Sequence, residues 1–251
     1  MKPMISVKNL SKKFKDQVVL DNINLEINEG EIMYVIGKSG SGKSVLLKNM
    51  VKLLTPDEGE IIIDDNNIFS LNDIELNEFR KKTGVLFQMA ALFDSLSVFE
   101  NVAFSLRRFT KHSNSQIADI VHEKLSLVGL KGYADRRPAS LSIGMQKRVG
   151  LARAIALNPE IIFCDEPTTG VDPLLGAAVD DLIVKLNKEL SVTVMVISHD
   201  MSSVFRVAHR VAMLYNGKFE FTGSAEELQK SDNPVVKQFV AGSASGPMSI
   251  I

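Results

Sequence analysis

The sequence has one cysteine, no tryptophan and a net charge of only −1 across 251 residues. A single thiol, Cys164, cannot form a disulfide within the chain, and its apolar neighbours predict a buried, reduced side chain. The near-neutral balance creates no general field that would attract nucleic acid or an anionic membrane. We therefore expect no nucleic-acid partner, and any membrane partner must be met by a local surface.

Long hydrophobic runs are also missing. No apolar stretch reaches the roughly 18 residues that a membrane helix needs. Near the start, Pro3 and lysines such as Lys2 and Lys8 interrupt any signal-peptide pattern. We expect a cytoplasmic chain that would serve a membrane from outside the bilayer.

Short apolar segments alternate with helical patterns along most of the chain, which predicts an α/β fold with a mainly parallel sheet. Ligands of such sheets bind at the carboxyl ends of the strands. Strands are predicted at 5–10, 18–27, 32–36, 60–63, 84–87, 161–164, 192–197, 211–215 and 219–221, the first two as an antiparallel hairpin. Helices are predicted at 45–53, 74–82, 98–107, 117–128, 149–157, 174–190, 204–208 and from Ala225, the last one followed by Asn233 and Pro234 and then by a short apolar segment to Val240.

Domain boundaries follow from the same patterns. Residues 1–240 are predicted to form one domain, with a helical subdomain at about 89–140 inserted into the α/β core. Residues 241–251 contain GSASGP, a composition typical of a flexible tail.

The stretch from Gly37 to Ser44 reads GKSGSGKS and lies between two apolar runs, which is the P-loop pattern in its strand, loop and helix setting. Glycines permit the sharp turn and let backbone N–H groups approach phosphate oxygens. We expect Lys43 to contact the β- and γ-phosphates and Ser44 to bind Mg²⁺ at a helix N-terminus. The predicted phosphate-binding residues are Gly37, Lys38, Ser39, Gly40, Ser41, Gly42, Lys43 and Ser44. The alternative is a glycine-serine loop without chemistry.

Polar side chains follow three other predicted strands. Asp165 could hold Mg²⁺ through water and Glu166 could polarise an attacking water, although a DE pair alone is often a solvated turn. His199 could reach a γ-phosphate from its strand end, but a lone histidine there is usually structural. Gln88 could bind Mg²⁺ and the attacking water, or be an ordinary exposed amide.

The segment LSIGMQKRVGLARAIALNP, residues 141–159, begins with a good helix N-cap at Ser142. The simplest interpretation is a capped amphipathic helix. The functional one is that the Ser142 hydroxyl, the Gly144 N–H and the helix dipole face a γ-phosphate held by a second subunit.

Taken in order, these motifs resemble the ATPase subunit of an ABC transporter over residues 4–230. The resemblance implies a P-loop NTPase of the ABC ATPase fold, with a RecA-like mixed sheet core, an antiparallel β subdomain and a helical subdomain. It also implies two copies enclosing two ATP molecules with Mg²⁺. In the implied roles, Phe14 stacks on adenine, residues 37–44 form the Walker A loop and Gln88 belongs to the Q-loop. The signature contains Ser142, Ile143, Gly144 and Met145. Walker B is at 161–166, the D-loop aspartate is Asp172 and the switch histidine is His199. The implied metal ligands are Ser44, Gln88 and Asp165, and the implied catalytic residues are Lys43, Glu166 and His199.

The signature departs from the family's LSGGQ, because Ile143 replaces the first glycine and Met145 the glutamine. Ser142 and Gly144 are retained, so we expect activity. Ile143 restricts the backbone more than glycine would, and Met145 has no amide with which to hydrogen-bond.

The segment MAALFDSLSVFENVAFSLR, together with the signature methionine, resembles the Mla/Mce-type ATPases of lipid transport. That likeness implies an MlaE-like permease docking near residues 88–104, an Mce-domain protein in the complex, and a position on the cytoplasmic face of the inner membrane. Importers of polar amino acids and other small solutes share parts of the pattern. The alternative interpretation of this segment is an ordinary amphipathic helical subdomain with Leu92, Phe93, Leu96 and Phe99 as core. Both interpretations can hold, because an apolar groove there is where a cytoplasmic helix of the permease would dock. Residues 233–251 could contact a partner subunit or form a disordered end.

Two other classes of protein compete with a transporter ATPase. A soluble ABC ATPase acting on DNA or the ribosome usually carries tandem cassettes, long coiled-coil insertions or a basic stripe, and the sequence has none of these. A regulatory module that senses ATP without turnover is disfavoured by Glu166 and His199, although Ile143 leaves that alternative open.

Overall fold

The computed structural model describes residues 3–249. Their contacts divide into two compact units, residues 3–71 with 195–249 and residues 72–194. The strands are β1 (Pro3–Phe14), β2 (Gln17–Asn28), β3 (Ile32–Ile36), β4 (Glu58–Ile63), β5 (Asn66–Asn67), β6 (Thr83–Leu86), β7 (Ile161–Asp165), β8 (Thr193–Ser198), β9 (Arg210–Tyr215) and β10 (Lys218–Gly223). The helices are α1 (Lys43–Met50), α2 (Asp73–Lys82), α3 (Val98–Phe109), α4 (Asn114–Leu127), α5 (Ile143–Ala154), α6 (Pro173–Leu190), α7 (Met201–Val207), α8 (Ala225–Lys230) and α9 (Pro234–Ala241), with a 3-10 turn at Pro138–Ser140.

An antiparallel sheet in the order β2, β1, β4, β5 occupies the N-terminal part of the first unit. The predicted hairpin is confirmed, with β1 and β2 paired from Pro3 opposite Asn28 to Phe14 opposite Gln17. Both strands run further than predicted, because the backbone pairing continues through polar residues and turns only at residues 15 and 16. One face buries alternate apolar side chains, such as Ile23, Leu25 and Ile27.

The first unit also contains a mixed set of strands. β3 pairs in parallel with β9 from Met33 to Ile36, and β9 pairs antiparallel with β10. All five residues of β3 are buried, as expected for a strand covered on both faces. The mixed sheet and the antiparallel sheet that the sequence predicted are both present.

In the second unit, β6 pairs in parallel with β7, from Thr83 opposite Ile161 to Leu86 opposite Cys164. Helix α5 lies close against β6: a Cβ on Gly84 would fall 2.4 Å from the Ala154 carbonyl oxygen. The missing side chain allows this close approach. Because Gly84 permits the contact, the end of α5 lies beside the start of β6.

Local signals explain where the helices depart from prediction. Helix α5 begins at Ile143, not Val149, because Ser142 caps it. The sequence predicted only a short apolar segment where α9 lies, yet Asn233 caps this helix and proline occupies its first turn, where no N–H is needed. Cys164 is buried as predicted, and burial raises its pKa to about 12.

The predicted tail, 241–251, begins where α9 ends. Within its described part, Met248 is buried, and its N–H donates to the Gln238 Oε1 at 2.6 Å. The Lys38 Nζ donates to the Ser249 carbonyl oxygen at 3.3 Å. Residues 250 and 251 lie outside the described residues, and the domain boundary at 240 and the flexibility of the tail stay predictions. No helix within residues 3–249 is long and apolar enough to cross a membrane.

Candidate functional site

The glycines of the P-loop fit a backbone that other residues could not follow. Gly37 has a φ of 149°, and a Cβ there would lie 2.2 Å from the Leu214 carbonyl oxygen. Gly42 has a φ of 104°, and its Cβ would lie 2.9 Å from the Val19 carbonyl oxygen. The loop therefore packs closely on β9 at Gly37 and on β2 at Gly42. These two contacts fix the point where α1 begins.

Helix α1 differs from the other eight α-helices within residues 3–249. Each of those begins with a serine, aspartate or asparagine side chain that accepts a backbone N–H. Helix α1 begins after Gly42, which has no side chain to cap it. A helix N-terminus without a side-chain cap presents N–H groups and a partial positive charge to an external anion.

Two side chains add hydrogen-bonding groups to the loop. The Lys43 Nζ donates to the carbonyl oxygens of Gly37 at 2.7 Å and Lys38 at 3.0 Å, so the buried ammonium lies across the loop. The Ser41 Oγ is buried and has no hydrogen-bond partner among the described residues. A buried hydroxyl without a protein partner, beside an uncapped helix and a cation, fits a bound phosphate chain.

The remaining P-loop residues are more accessible. Lys38 is half-buried, with its Nζ 5.9 Å from the centre of the Tyr215 ring, and Ser39 and Gly40 are exposed. Gly40 has a φ of 78°, and a Cβ there would meet nothing within 4 Å. Ser44 is half-buried on the first turn of α1.

Phe14 and His199 belong to the same unit as the P-loop. Phe14 ends β1 and is 44% exposed, with the Lys12 Nζ 5.5 Å from its ring centre. A partly open aromatic face of this kind can stack on a planar ligand. His199 is exposed between β8 and α7.

Asp200, next to the histidine, is a residue that the sequence interpretation missed. Its carboxylate accepts hydrogen bonds from the backbone N–H groups of Ser202 and Ser203 and from both hydroxyls. Burial raises its pKa, but these hydrogen bonds lower it more, so the pKa lies below its usual value. An aspartate with serines two and three residues later, at the start of a helix, is a capping signal that could have identified it.

In the second unit, Asp165 ends β7 and Glu166 follows it. Both are buried, and Glu166 has a φ of 50°, which is uncommon for a residue with a side chain. The Thr169 hydroxyl donates to the Glu166 Oε2 at 2.9 Å. Gln88 lies just beyond the end of β6, and its side chain is exposed.

Lys147 connects Gln88 to Glu166, and the sequence interpretation missed it too. Its Nζ donates to the Gln88 carbonyl oxygen at 2.6 Å and to the Glu166 carbonyl oxygen at 2.8 Å. Nothing in the local sequence distinguishes it from an exposed lysine on an amphipathic helix. The structure thus brings the backbones of the predicted Q-loop and Walker B residues to one ammonium group.

The predicted signature forms the first turn of α5. Ser142 is confirmed as the N-cap, and its Oγ accepts the Met145 N–H at 3.3 Å. A Cβ on Gly144 would lie 3.6 Å from the Leu175 side chain, so the signature packs on the start of α6. Asp172 caps that helix, because its carboxylate accepts the N–H groups of Leu174 and Leu175. Ile143 is 52% exposed.

The predicted metal ligands are hard oxygen donors. Residues 3–249 contain no group of three or more histidine, cysteine, aspartate or glutamate side chains that could hold a metal ion. Mg²⁺ at a nucleotide needs no such cluster, since phosphate oxygens and water supply most of its ligands. By chemical type, the hydroxyl of Ser44, the amide of Gln88 and the carboxylate of Asp165 are each donors that Mg²⁺ accepts, and their use at one ion stays a prediction.

The loop that joins β3 to α1 defines a P-loop nucleoside triphosphatase. Comparison with known proteins narrows this class. The "ABC transporter" family matches residues 20–169. The chain therefore belongs to the ABC transporter family, and it is an ATP-binding ATPase of that family.

Several relatives match nearly the whole chain. The "Probable ribonucleotide transport ATP-binding protein mkl" of Mycobacterium leprae is 42% identical over 98% of this chain and 71% of its own length. The "Intermembrane phospholipid transport system ATP-binding protein MlaF" of Haemophilus influenzae is 43% identical over 98% of this chain and 93% of its own. The dimeric post-hydrolysis structure of the ATP-binding cassette MJ0796 bound to ADP and phosphate superposes with a TM-score of 0.81 and 35% identity, over 88% of this chain and 99% of that one. This likeness confirms the predicted ABC ATPase fold.

Proposed function

We propose that this chain hydrolyses ATP to drive a membrane permease that moves phospholipid. The observation that carries the proposal is the 43% identity to a phospholipid-transport ATP-binding protein along 98% of the chain and 93% of that relative. The P-loop supplies the ATP site that such a subunit requires. The chain itself would act from the cytoplasmic face of the inner membrane, through contact with the permease.

The roles of the site residues follow from their chemistry. Backbone N–H groups of the P-loop and the Lys43 ammonium bind the β- and γ-phosphates. Ser44, Gln88 and Asp165 would hold Mg²⁺, which neutralises charge on the phosphates as they react. Glu166 orients and polarises the attacking water, and His199 contacts the γ-phosphate. Phe14 stacks on the adenine.

A second copy completes the site. The Ser142 hydroxyl, which accepts from the Met145 N–H, keeps its own proton to donate to a γ-phosphate across the dimer, beside the Gly144 N–H. Ile143, Met145 and Asp172 line the same interface. The dimeric form of the MJ0796 cassette supports this arrangement.

The permease would dock near residues 88–104. Met89 is 82% exposed, and Phe93 and Phe104 are 43% and 49% exposed, with ring centres 4.9 Å apart. None of the four side chains that an ordinary core would use, Leu92, Phe93, Leu96 and Phe99, is fully buried. An accessible aromatic pair that follows Gln88 in the chain suits an apolar helix of the permease, here an MlaE-like one working with an Mce-domain protein.

The mycobacterial relative, named a probable ribonucleotide transport protein, favours a second candidate, the transport of ribonucleotides. The two candidates differ in cargo and can be tested together. The chain would be reconstituted in proteoliposomes with an MlaE-like permease from the same organism, and transfer of labelled phospholipid and uptake of labelled ribonucleotide would be measured with and without ATP. ATP-dependent phospholipid transfer alone is expected, and nucleotide uptake without lipid transfer would refute the proposal. The Glu166→Gln variant is the control for dependence on hydrolysis.

A further inference from the structure

Lys147 lies in the middle of α5, and only 1% of its surface is exposed. Burial lowers its pKa, while the nearby carboxylates of Glu166 and Asp165 raise it in part. An ammonium group is costly to bury unless its hydrogen bonds are satisfied. Here two short bonds, to the carbonyl oxygens of Gln88 and Glu166, satisfy it.

Both bonded carbonyls belong to segments whose backbones are unusual. Glu166 has a positive φ, a conformation that persists only when surrounding contacts enforce it. Ala90 and Ala91, just after Gln88, also have positive φ values, of 57° and 47°. Arg153, one and a half turns further along α5, donates to the carbonyl oxygens of these two alanines at 2.6 Å. Lys147 and Arg153, both on α5, therefore hold the segment that follows β6. Of these two residues, Lys147 also donates to Glu166.

We propose that Lys147 is a positioning residue for ATP hydrolysis, holding the Gln88 and Glu166 backbones together so that their side chains meet the attacking water correctly. This inference rests on the proposed function. Because Ser142 caps the same helix, contact with a second copy at the signature acts on the helix that carries Lys147. Lys147 itself does not touch the nucleotide.

The test compares Lys147→Met, which keeps the length of the side chain and removes its donors, with Lys147→Arg, which retains them. Lys124→Met is the matched control, because Lys124 is also buried in the second unit, but within residues 3–249 its Nζ donates to the side chains of Glu123 and Asn158 rather than to the site. For each folded variant, kcat, KM and the unfolding midpoint would be measured. A misplaced catalytic group costs on the order of 10- to 100-fold in rate, so kcat of Lys147→Met is expected to fall by that factor. We expect KM to change by less than about threefold, and Lys147→Arg to recover most of the rate.

A double-mutant cycle with Glu166→Gln separates positioning from general destabilisation. Because Lys147 acts partly through Glu166, Lys147→Met should reduce the single-turnover rate of Glu166→Gln by a smaller factor than it reduces the wild-type single-turnover rate. The positioning role of Lys147 would be overturned if Lys147→Met reduced the rate by the same factor in the wild-type and Glu166→Gln proteins. It would also be overturned if Lys147→Met lost no more activity than Lys124→Met. If Lys147→Met does not fold, Lys147→Gln, which can still donate to one carbonyl, replaces it in the same cycle with the same criteria. A wild-type chain without turnover would instead overturn the proposed function, and the role of Lys147 with it.

Discussion

Replacing Gly42 by alanine should destabilise the protein more than the same change at Gly40, two residues earlier in the loop. Both glycines have positive φ values, 104° and 78°, so both substitutions carry a backbone cost of about 1–2 kcal/mol. Only at Gly42 does the new methyl meet other atoms, 2.9 Å from the Val19 carbonyl oxygen and 3.1 Å from the Leu20 and Val19 side chains. Because a backbone carbonyl cannot move away cheaply, the overlap adds about 1–3 kcal/mol.

The total for Gly42→Ala is therefore about 2–5 kcal/mol, against about 1–2 kcal/mol for Gly40→Ala. For a chain of this size, each kcal/mol lowers the unfolding midpoint by roughly 2–4 °C. Calorimetry without nucleotide would measure the two midpoints, so that lost phosphate contacts do not enter the comparison. Equal midpoints for the two variants would refute the close approach of β2 to the loop. Both variants carry the cost of a positive φ, and the overlap with Val19 and Leu20 is expected for Gly42→Ala and not for Gly40→Ala.

Three further predictions concern the site. Lys43→Ala should remove detectable ATP binding, because the charge over the β- and γ-phosphates is lost; wild-type turnover in this variant would contradict the P-loop assignment. Glu166→Gln should bind ATP and accumulate as a dimer with little hydrolysis. Gel filtration with and without ATP would test this, and a monomer under both conditions would contradict it. Asp200→Ala should cost about 0.5–2 kcal/mol at pH 7 through the lost cap of α7. The pKa of Asp200 is lowered in the folded state, so its carboxylate stabilises the fold above its ordinary pKa, and this stabilisation is lost as the pH falls through the folded-state pKa. The difference in unfolding midpoint between wild type and Asp200→Ala should therefore disappear on acidification below about pH 4. A gap that stays constant from pH 7 to pH 3 would refute that account.

Much of the fold could be predicted because its signals are local. Alternating side chains identified the β1 and β2 hairpin, and buried apolar runs identified β3, β7 and β8. Errors arose where a local signal was given the wrong weight. The polar residues before Phe14 were taken to end a strand, but backbone pairing does not depend on the polarity of side chains that are wholly or partly exposed. Pro234 was taken as a break, whereas in the first turn of a helix it is well tolerated.

The sequence by itself determined the P-loop, because eight consecutive residues between a strand and a helix specify both its backbone and its donors. It also determined the cap at Ser142, which bonds three residues ahead. Only the tertiary structure decided the partners of Lys147, one 59 residues before it and the other 19 residues after it. It likewise decided that the Val19 carbonyl oxygen closes on Gly42. Local chemistry can be predicted from neighbours along the chain, whereas the partner of a buried group depends on which distant segments the fold packs around it.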